Sequence, residues 1–292
     1  MNVAIFAKRI NSGLVETLDL VLSALDQHHC DAYLYKPLEE LLKKCGKSTC
    51  IVKGTFEKPG DITTEIKYFI SIGGDGTFLQ SVPFVVKKEI PLVGINNGRL
   101  GFLANIQKQD TLESIKAIIK GNYEIDNRSL IKLVSPEGLF GEYQYALNDL
   151  TIQKKGASLI TINTYINNEY LNGYWTDGLI ISTPTGSTAY SMSVGGPIVC
   201  PDCKNFIISP IASHNFSVRP LVVDINSEIR IEVEARNNQF LLTLDSSTVE
   251  LSTDISIRMR KSENEIKTIK LKQHSFYNTI RTKLMWGMDP RN

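Results

Sequence analysis

Residues 68–79 read YFISIGGDGTFL. The first five have strand character, Gly73, Gly74 and Gly76 break it, and Thr77-Phe78-Leu79-Gln80 reads as the start of a helix. Strand, glycine turn and helix in succession belong to a parallel sheet with helices on its faces. The turn also poses a chemical question. Glycines let backbone amides approach an anion closely, and beside a helix N-terminus they make a phosphate site. Asp75, in the middle of that turn, would repel phosphate. It makes sense as a proton acceptor for a hydroxyl or as the holder of a cation, both of which phosphoryl transfer needs. The competing reading is that Asp75-Gly76 is simply a turn. The spacing is neither GxxxxGK[ST] nor GxGxxG, so the arguments for those loops do not transfer. Pro83 is expected to kink or restart the helix.

The neighbouring segments extend the same pattern. Residues 3–7 form a short apolar strand, and residues 14–25 carry apolar side chains at 14, 15, 18, 21, 22 and 25, a helical period. Residues 91–95 are a further strand and lead into a second glycine turn, INNGRLGFL at 95–103. Two such turns at the ends of adjacent parallel strands would face one crevice, although either alone also fits an ordinary loop. A helix is predicted over 111–120, capped by Asp110, with Glu113 at the capping-box position, an apolar stripe of Leu112, Ile115, Ile118 and Ile119, and Gly121 as its stop.

After about residue 122 the texture turns to β. Residues 131–134, 145–152, 159–166, 178–182, 228–234 and 240–244 are rich in β-branched and aromatic side chains, and Asn167-Asn168 offers a hairpin turn. The expected organisation is an α/β domain with a parallel sheet over 1–121, a β-rich domain over 122–270, and a tail over 271–292 that packs back on the first. Within the β-rich part, residues 176–193 (TDGLIISTPTGSTAYSMS) crowd hydroxyls around one Pro and one Gly. Uncharged hydroxyls suit base edges and ribose, and Tyr190 could stack on a base; a plain Ser/Thr-rich loop is the alternative. Ser187 has neither a nucleophile-elbow pattern nor an obvious His partner. Asn148-Asp149, inside YALNDLTI (145–152), puts two polar side chains in an apolar strand, suited to an amide edge and a ribose diol, or else to a bulge.

Composition narrows the classes further. The chain has 292 residues, 42% of them hydrophobic, enough for a sizeable core. A formal net charge of +1 gives no global pull on nucleic acid, so an anionic ligand must meet a local site. No run approaches the roughly 18 apolar residues of a membrane helix, and the N-terminal apolar segment, broken by Lys8-Arg9, is too short for a signal peptide. The basic stretch at 257–272 reads as the solvated face of an edge strand or loop. Five cysteines, an odd number, read as reduced thiols of a cytoplasmic protein. Cys200-Pro-Asp-Cys203 has metal or redox spacing, but no second pair or His cluster accompanies it, and it reads as plain thiols, as do Cys45 and Cys50.

Taken together, GGDGTFL, NNGRLGFLA, ALNDLTI, DGLIISTPTGSTAYSMSVGGPI, SHNFSVRPLVV and the terminal FYNTIRTKLMW resemble the NAD kinase family in order and spacing, over residues 1–286. The resemblance implies an N-terminal α/β domain, a β-rich C-terminal domain and an active site between them. It implies transfer of the γ-phosphoryl of ATP to the 2′-hydroxyl of the adenosine ribose of NAD. A divalent cation, Mg²⁺, would be carried mostly by the nucleotide, with no metal ligand set from the chain. Carried over by motif, Asp75 is the proton acceptor, flanked by Gly74 and Gly76. Asn148, Asp149 and Asp177 contact NAD, and Thr188, Ala189, Tyr190, Ser191, Met192 and Ser193 surround the adenosine moiety. Trp175, Ala212 and Ser247 fall at further ligand-contacting positions. The chain departs from the usual pattern at Gln80 and Trp175, where many members carry a basic residue, at Ser247 for Gln, and at Cys200 for His. The resemblance further implies a homodimer or homotetramer, with no nucleic acid or membrane as partner. Lipid and sugar kinases also carry a GGDG turn, but TPTGSTAY preceded by Asp177-Gly178, and the lack of an amphipathic membrane-facing stretch, argue against them. A sensor that binds NAD without turnover is a further alternative, opposed by the presence of Asp75.

Overall fold

The computed structural model describes residues 1–8, 12–46, 51–272 and 275–287. Arg9, Cys50 and part of the C-terminal tail therefore lie outside the described residues. The chain divides into two compact units, Met1–Asn127 with Ile266–Asn292, and Arg128–Glu265. Each boundary falls inside a strand, so the composition change at 121/122 and the end of strand character at 270/271 lie several residues away from it.

The first unit contains β1 (Asn2–Phe6), α1 (Ser12–Gln27), β2 (Asp31–Tyr35), α2 (Lys36–Lys44), β3 (Val52–Phe56), β4 (Ile66–Ile72), α3 (Asp75–Val85), β5 (Leu92–Asn96), β6 (Ile106–Gln107) and α4 (Thr111–Ile119). The strands are parallel in the order β3-β2-β1-β4-β5. The chain lays β2 and β3 to one side of β1 and then crosses to the other, so the topology switches between β1 and β4. Ligands of open parallel sheets bind outside the carboxyl ends of strands at such a point. One face of the sheet buries Val3, Ile5, Ile70 and Ile72 together with Leu14 and Leu18 of α1 and Ile115 and Ile118 of α4. The rings of Phe6, Tyr35, Phe56, Phe69 and Phe84 form a second packed group, neighbouring centroids 4.7–6.4 Å apart. Phe84 belongs to α3, so this aromatic group fixes the helix whose first residue is Asp75.

Three local expectations change. The helix after GGDG begins at Asp75 with Gly74 as its N-cap, and it runs through Pro83 to Val85 without restarting. In α4 the buried positions are Thr111, Ser114, Ile115 and Ile118. Leu112 is 45% exposed, and Asp110 stands at the N-cap without a side-chain cap bond, so the stripe is rotated toward the small polar residues. β2, α2 and β3 are additions to the expected elements: β2 alternates buried Ala32 and Leu34 with half-buried neighbours, and α2 turns Leu38 and Leu42 into the core.

The second unit receives the chain from β7 (Glu124–Ser135). It contains β8 (Tyr145–Ala146), β9 (Asp149–Lys154), β10 (Ile160–Ile166), β11 (Glu169–Thr176), β12 (Gly178–Ser182), the single turn α5 (Tyr190–Ser193), β13 (Asn205–Ile211), β14 (Leu221–Asp224), β15 (Ile229–Glu234), β16 (Gln239–Leu244) and β17 (Ser247–Ser252). β18 (Ile257–Lys270) and α6 (Phe276–Leu284) close the chain. An antiparallel sheet runs β14-β13-β12-β9-β16-β17, and β11, β10 and β15 continue into the first residues of β18 as a second layer. Ile160, Ile162 and Ile231 of one layer share a core with Leu150, Ile152, Leu179 and Leu242 of the other. Asn167 and Asn168 form the β10–β11 turn with φ of 51° and 69°, the left-handed pair that a two-residue hairpin requires.

β18 corrects the reading of residues 257–272 as an edge strand or loop. Its start pairs with β15 and its end with β5, and four of its basic side chains meet acids: Arg260 with Glu263, Lys261 with Glu265, Lys267 with Glu89 and Lys270 with Glu124. Among the described residues, Cys30, Cys45, Cys200 and Cys203 are free thiols, and no helix is long and apolar enough to cross a membrane.

Candidate active site

Asp75 stands at the carboxyl end of β4, on the flank of the topological switch. Gly73, with φ of 154°, lets the chain turn there: a Cβ on it would collide with the Thr77 side chain. Gly74 caps the helix through its carbonyl, which accepts the amides of Thr77 at 2.9 Å and Phe78 at 3.1 Å. The Asp75 carboxylate does not point freely into solvent. Its Oδ1 accepts the amides of Leu103 and Ala104, and its Oδ2 accepts that of Phe102, all at 2.9 Å. The two glycine turns are thus joined by one side chain. Gly101 makes this possible, because a Cβ there would fall on the carboxylate itself. The second turn is shaped by Asn96, whose Oδ1 accepts the Gly98 amide at 2.7 Å and whose Nδ2 donates to the Arg99 carbonyl. A carboxylate offers about four lone-pair sites. Three are taken by amides, and the fourth is on Oδ2.

In the second unit a comparable arrangement surrounds Asp245, a residue that sequence reading passed over. Its carboxylate accepts the amides of Leu147 and Asn148 at 2.8 Å and of Asp149 at 3.2 Å. Residues 145–152 are therefore two strands, with a break at Leu147-Asn148 that Asp245 bridges. The TPTG turn lies on this break: Thr183 donates its amide to the Asn148 carbonyl at 2.9 Å and its hydroxyl to the Leu147 carbonyl at 2.6 Å. Gly186 touches the Asn148 backbone so closely that any Cβ would overlap it. Asp149 is buried and its Oδ1 accepts the Thr151 hydroxyl at 3.0 Å. Burial, with the Asp245 charge nearby, pushes the Asp149 carboxyl up to about 7. Burial likewise raises Asp245 to about 6 against the pull of its three amides.

The hydroxyl-rich stretch is largely spent on itself. Ser182, Thr183, Thr185, Ser187 and Ser191 are buried. Ser182 donates to the Thr183 carbonyl, Ser187 exchanges bonds with Val199, and Ser191 pairs with Ser209. These hydroxyls build the turn, which leaves Tyr190, 39% exposed, and Ser193 facing outward, with Thr188, Ala189 and Met192 half-buried. Gln153 donates to the Tyr190 hydroxyl at 3.2 Å. Asp177 pairs with Lys154 at 2.5 Å, and its amide donates to the Ile211 carbonyl, which sets it beside Ala212. Trp175 is 53% exposed, its ring centroid 5.1 Å from that of His214. Ser247 opens β17 two residues after Asp245, and Gln80 lies exposed on α3. Cys200 follows Val199, the partner of Ser187. Asn148, Asp149, Asp245 and the TPTG turn are thus one cluster. Asp177 with Ala212 and Trp175 with His214 are further local pairs.

Gly101, Gln153, Lys154 and Asp245 were missed by sequence reading. Only Asp245 has a local signal, as the first of the two polar residues that turn the chain between β16 and β17. Among the described residues, no three His, Cys, Asp or Glu side chains gather where they could hold a metal ion.

A glycine turn that presents a carboxylate at the switch point of a parallel sheet, followed in the chain by a β sandwich, defines a class of two-unit α/β-plus-β protein, to which the following likenesses give a family. Residues 3–123 match the ATP-NAD kinase N-terminal domain and residues 147–271 the ATP-NAD kinase C-terminal domain. The chain belongs to the NAD kinase family, and so to the phosphotransferases. It is 48% identical over 224 residues to an NAD kinase of Cytophaga hutchinsonii, covering 76% of this chain and 77% of that one. It is 37% identical over 295 residues to an NAD kinase of Flavobacterium psychrophilum, covering the whole of both. In fold it is similar to the crystal structure of yeast NADH kinase complexed with NADH, with a TM-score of 0.84 and 21% identity, over 99% of this chain and 88% of that one. It is also similar to an NAD kinase from Archaeoglobus fulgidus in complex with ATP, with a TM-score of 0.74 and 23% identity, over 98% of this chain and 99% of that one.

Proposed function

We infer that the protein phosphorylates NAD at the 2′-hydroxyl of its adenosine ribose, with ATP as donor, and that Asp75 accepts the proton. The hydroxyl oxygen bonds to the γ-phosphorus while the bond from that phosphorus to the bridging oxygen breaks. ADP leaves with that oxygen, and the hydroxyl proton passes to Asp75. The observation that carries this reading is the state of the Asp75 carboxylate: anchored by three amides, with the remaining lone pair on Oδ2. A ribose hydroxyl is a very weak acid, so an acceptor must be within hydrogen-bond reach as the phosphoryl arrives. The transition state is loose, so fixed orientation supplies much of the benefit.

Asn148, Asp149, Asp177, Ala212 and residues 188–193 are assigned to the dinucleotide. The packing of the TPTG turn on Asn148 supports grouping the first of them into one surface. Mg²⁺ is assigned to the nucleotide's phosphates, where it would neutralise their charge as the phosphoryl group is transferred. Free thiols support a reducing, cytoplasmic setting. Exposed Phe216, Leu221 and Val222 on and before the edge strand β14 support assembly into a homo-oligomer.

The test is turnover of purified protein with NAD, ATP and Mg²⁺, read by an NADP-specific dehydrogenase. Wild type is expected to make NADP. Asp75→Asn is expected to stay folded and to lose roughly 10²-fold or more in kcat, the scale of a positioned base. A folded Asp75→Asn enzyme with near-normal turnover would remove Asp75 from the mechanism.

A further inference from the structure

The C-terminal helix α6 reaches back to Asp75. Ser275 caps it by accepting the Asn278 amide, and Thr279 and Ile280 bury its inner face. Phe276 packs against Phe102, ring centroids 6.2 Å apart. Two turns later the Lys283 ammonium sits 4.6 Å from the centroid of the same Phe102 ring and 3.5 Å from Oδ2 of Asp75. Phe102 is the residue whose amide holds that oxygen. One helix therefore grips the turn that anchors the carboxylate and also places a cation beside the carboxylate.

This resting arrangement answers the difficulty posed by an aspartate in a phosphate-binding turn. An unpaired carboxylate would repel the triphosphate that must come to the same glycines. We propose that Lys283 is a positioning residue for the reaction: it is the counter-ion of Asp75, holding Oδ2 in place and neutralising the carboxylate toward the incoming polyphosphate. At 3.5 Å the ammonium makes an ion pair and only a long, weak hydrogen bond to Oδ2, which the ribose hydroxyl can replace without moving the carboxylate. The pair is partly exposed, with side chains 33% and 29% accessible, so it acts at the surface where substrate arrives and adds little to stability.

The proposal rests on Asp75 as proton acceptor, and its test separates the two. Lys283→Met keeps an unbranched apolar stem over Phe102 and removes the charge; Lys283→Arg keeps the charge. In the full-length enzyme, Lys283→Met is expected to lower kcat roughly tenfold or more, with the KM for NAD changed less than about threefold and the melting temperature close to wild type. Lys283→Arg should recover most of the loss. The decisive comparison is a double-mutant cycle with Asp75→Asn. If Lys283 acts through Asp75, adding Lys283→Met to Asp75→Asn should cost less than about threefold. Wild-type kcat in Lys283→Met, or an undiminished loss in the double mutant, would overturn the role of Lys283. Near-normal turnover in Asp75→Asn alone would instead overturn the role of Asp75. If Lys283→Met melts early, Lys283→Gln is compared in its place, and a loss that tracks melting in both and is not rescued by arginine also counts against the proposal.

Discussion

Asp75 shows how much of a side chain's behaviour depends on a neighbour that has none. Its carboxylate lies on Gly101, and no other residue fits there without moving either the carboxylate or the turn. Gly101→Ala is therefore expected to act at a distance from the chemistry it disturbs. The added methyl displaces Oδ1, weakens the bonds to Leu103 and Ala104, and tilts Oδ2. Misplacement of about 1 Å can cost on the order of 10²-fold in rate. Gly101→Ala should thus lower kcat toward that of Asp75→Asn while retaining the fold by circular dichroism, and wild-type turnover in this variant would show that the carboxylate tolerates the shift. The aspartate was legible in sequence because its surroundings, GGDG after a strand, are contiguous. Gly101 lies in a turn that is plain in the sequence, but nothing within that turn reveals that it accommodates the carboxylate.

Among the elements, α6 illustrates a helix whose value exceeds its size. It has nine residues, below the length at which an isolated helix is stable in water. Its order comes from the Ser275 cap and from packing of Phe276 and Ile280. Ser275→Ala removes the acceptor of the Asn278 amide and should cost about 1 kcal/mol. In thermal melts this appears as a fall of roughly 2–4 °C, with a parallel loss of activity if α6 supports Asp75. An unchanged melt with unchanged activity would show that the cap contributes nothing. The β10–β11 hairpin is the opposite case: alternation over 160–166 and Asn167-Asn168 were enough to read it, since turn and strands are adjacent in sequence. The strand pattern over 145–152 runs unbroken in sequence, whereas the break at Leu147-Asn148 is imposed by Asp245 from the distant β16–β17 turn.

For the molecule as a whole, buried Asp149 and its half-buried neighbour Asp245 leave a mark on stability against pH. Both carboxyls have folded values above their ordinary 3.8, raised chiefly by burial. Between about pH 4 and pH 7 the folded protein holds protons that the unfolded chain would release. Stability from these groups is therefore full below about pH 4 and is lost as pH rises through about 6 to 7. Asp149→Asn keeps an oxygen for Thr151 and removes one charge. In ligand-free melts from pH 5 to 8, the variant should gain on wild type as pH rises, with the larger advantage at pH 8. A constant difference across that range would mean that Asp149 titrates as an ordinary surface carboxylate.

Short-range chemistry was written along the chain: the strand–glycine–helix unit at 66–85, the Asn-Asn hairpin, the change from α/β to β, and Asp75 as an acid where an anion site was expected. These rest on backbone preferences and side-chain periods that operate over a few residues. The chain path alone decided the rest. The amides that hold Asp75 lie 27 to 29 residues away, those that hold Asp245 lie 96 to 98 away, and Lys283 lies 208 away. A hydrogen bond between such partners depends on where the sheets bring two turns together, and no local propensity records that position.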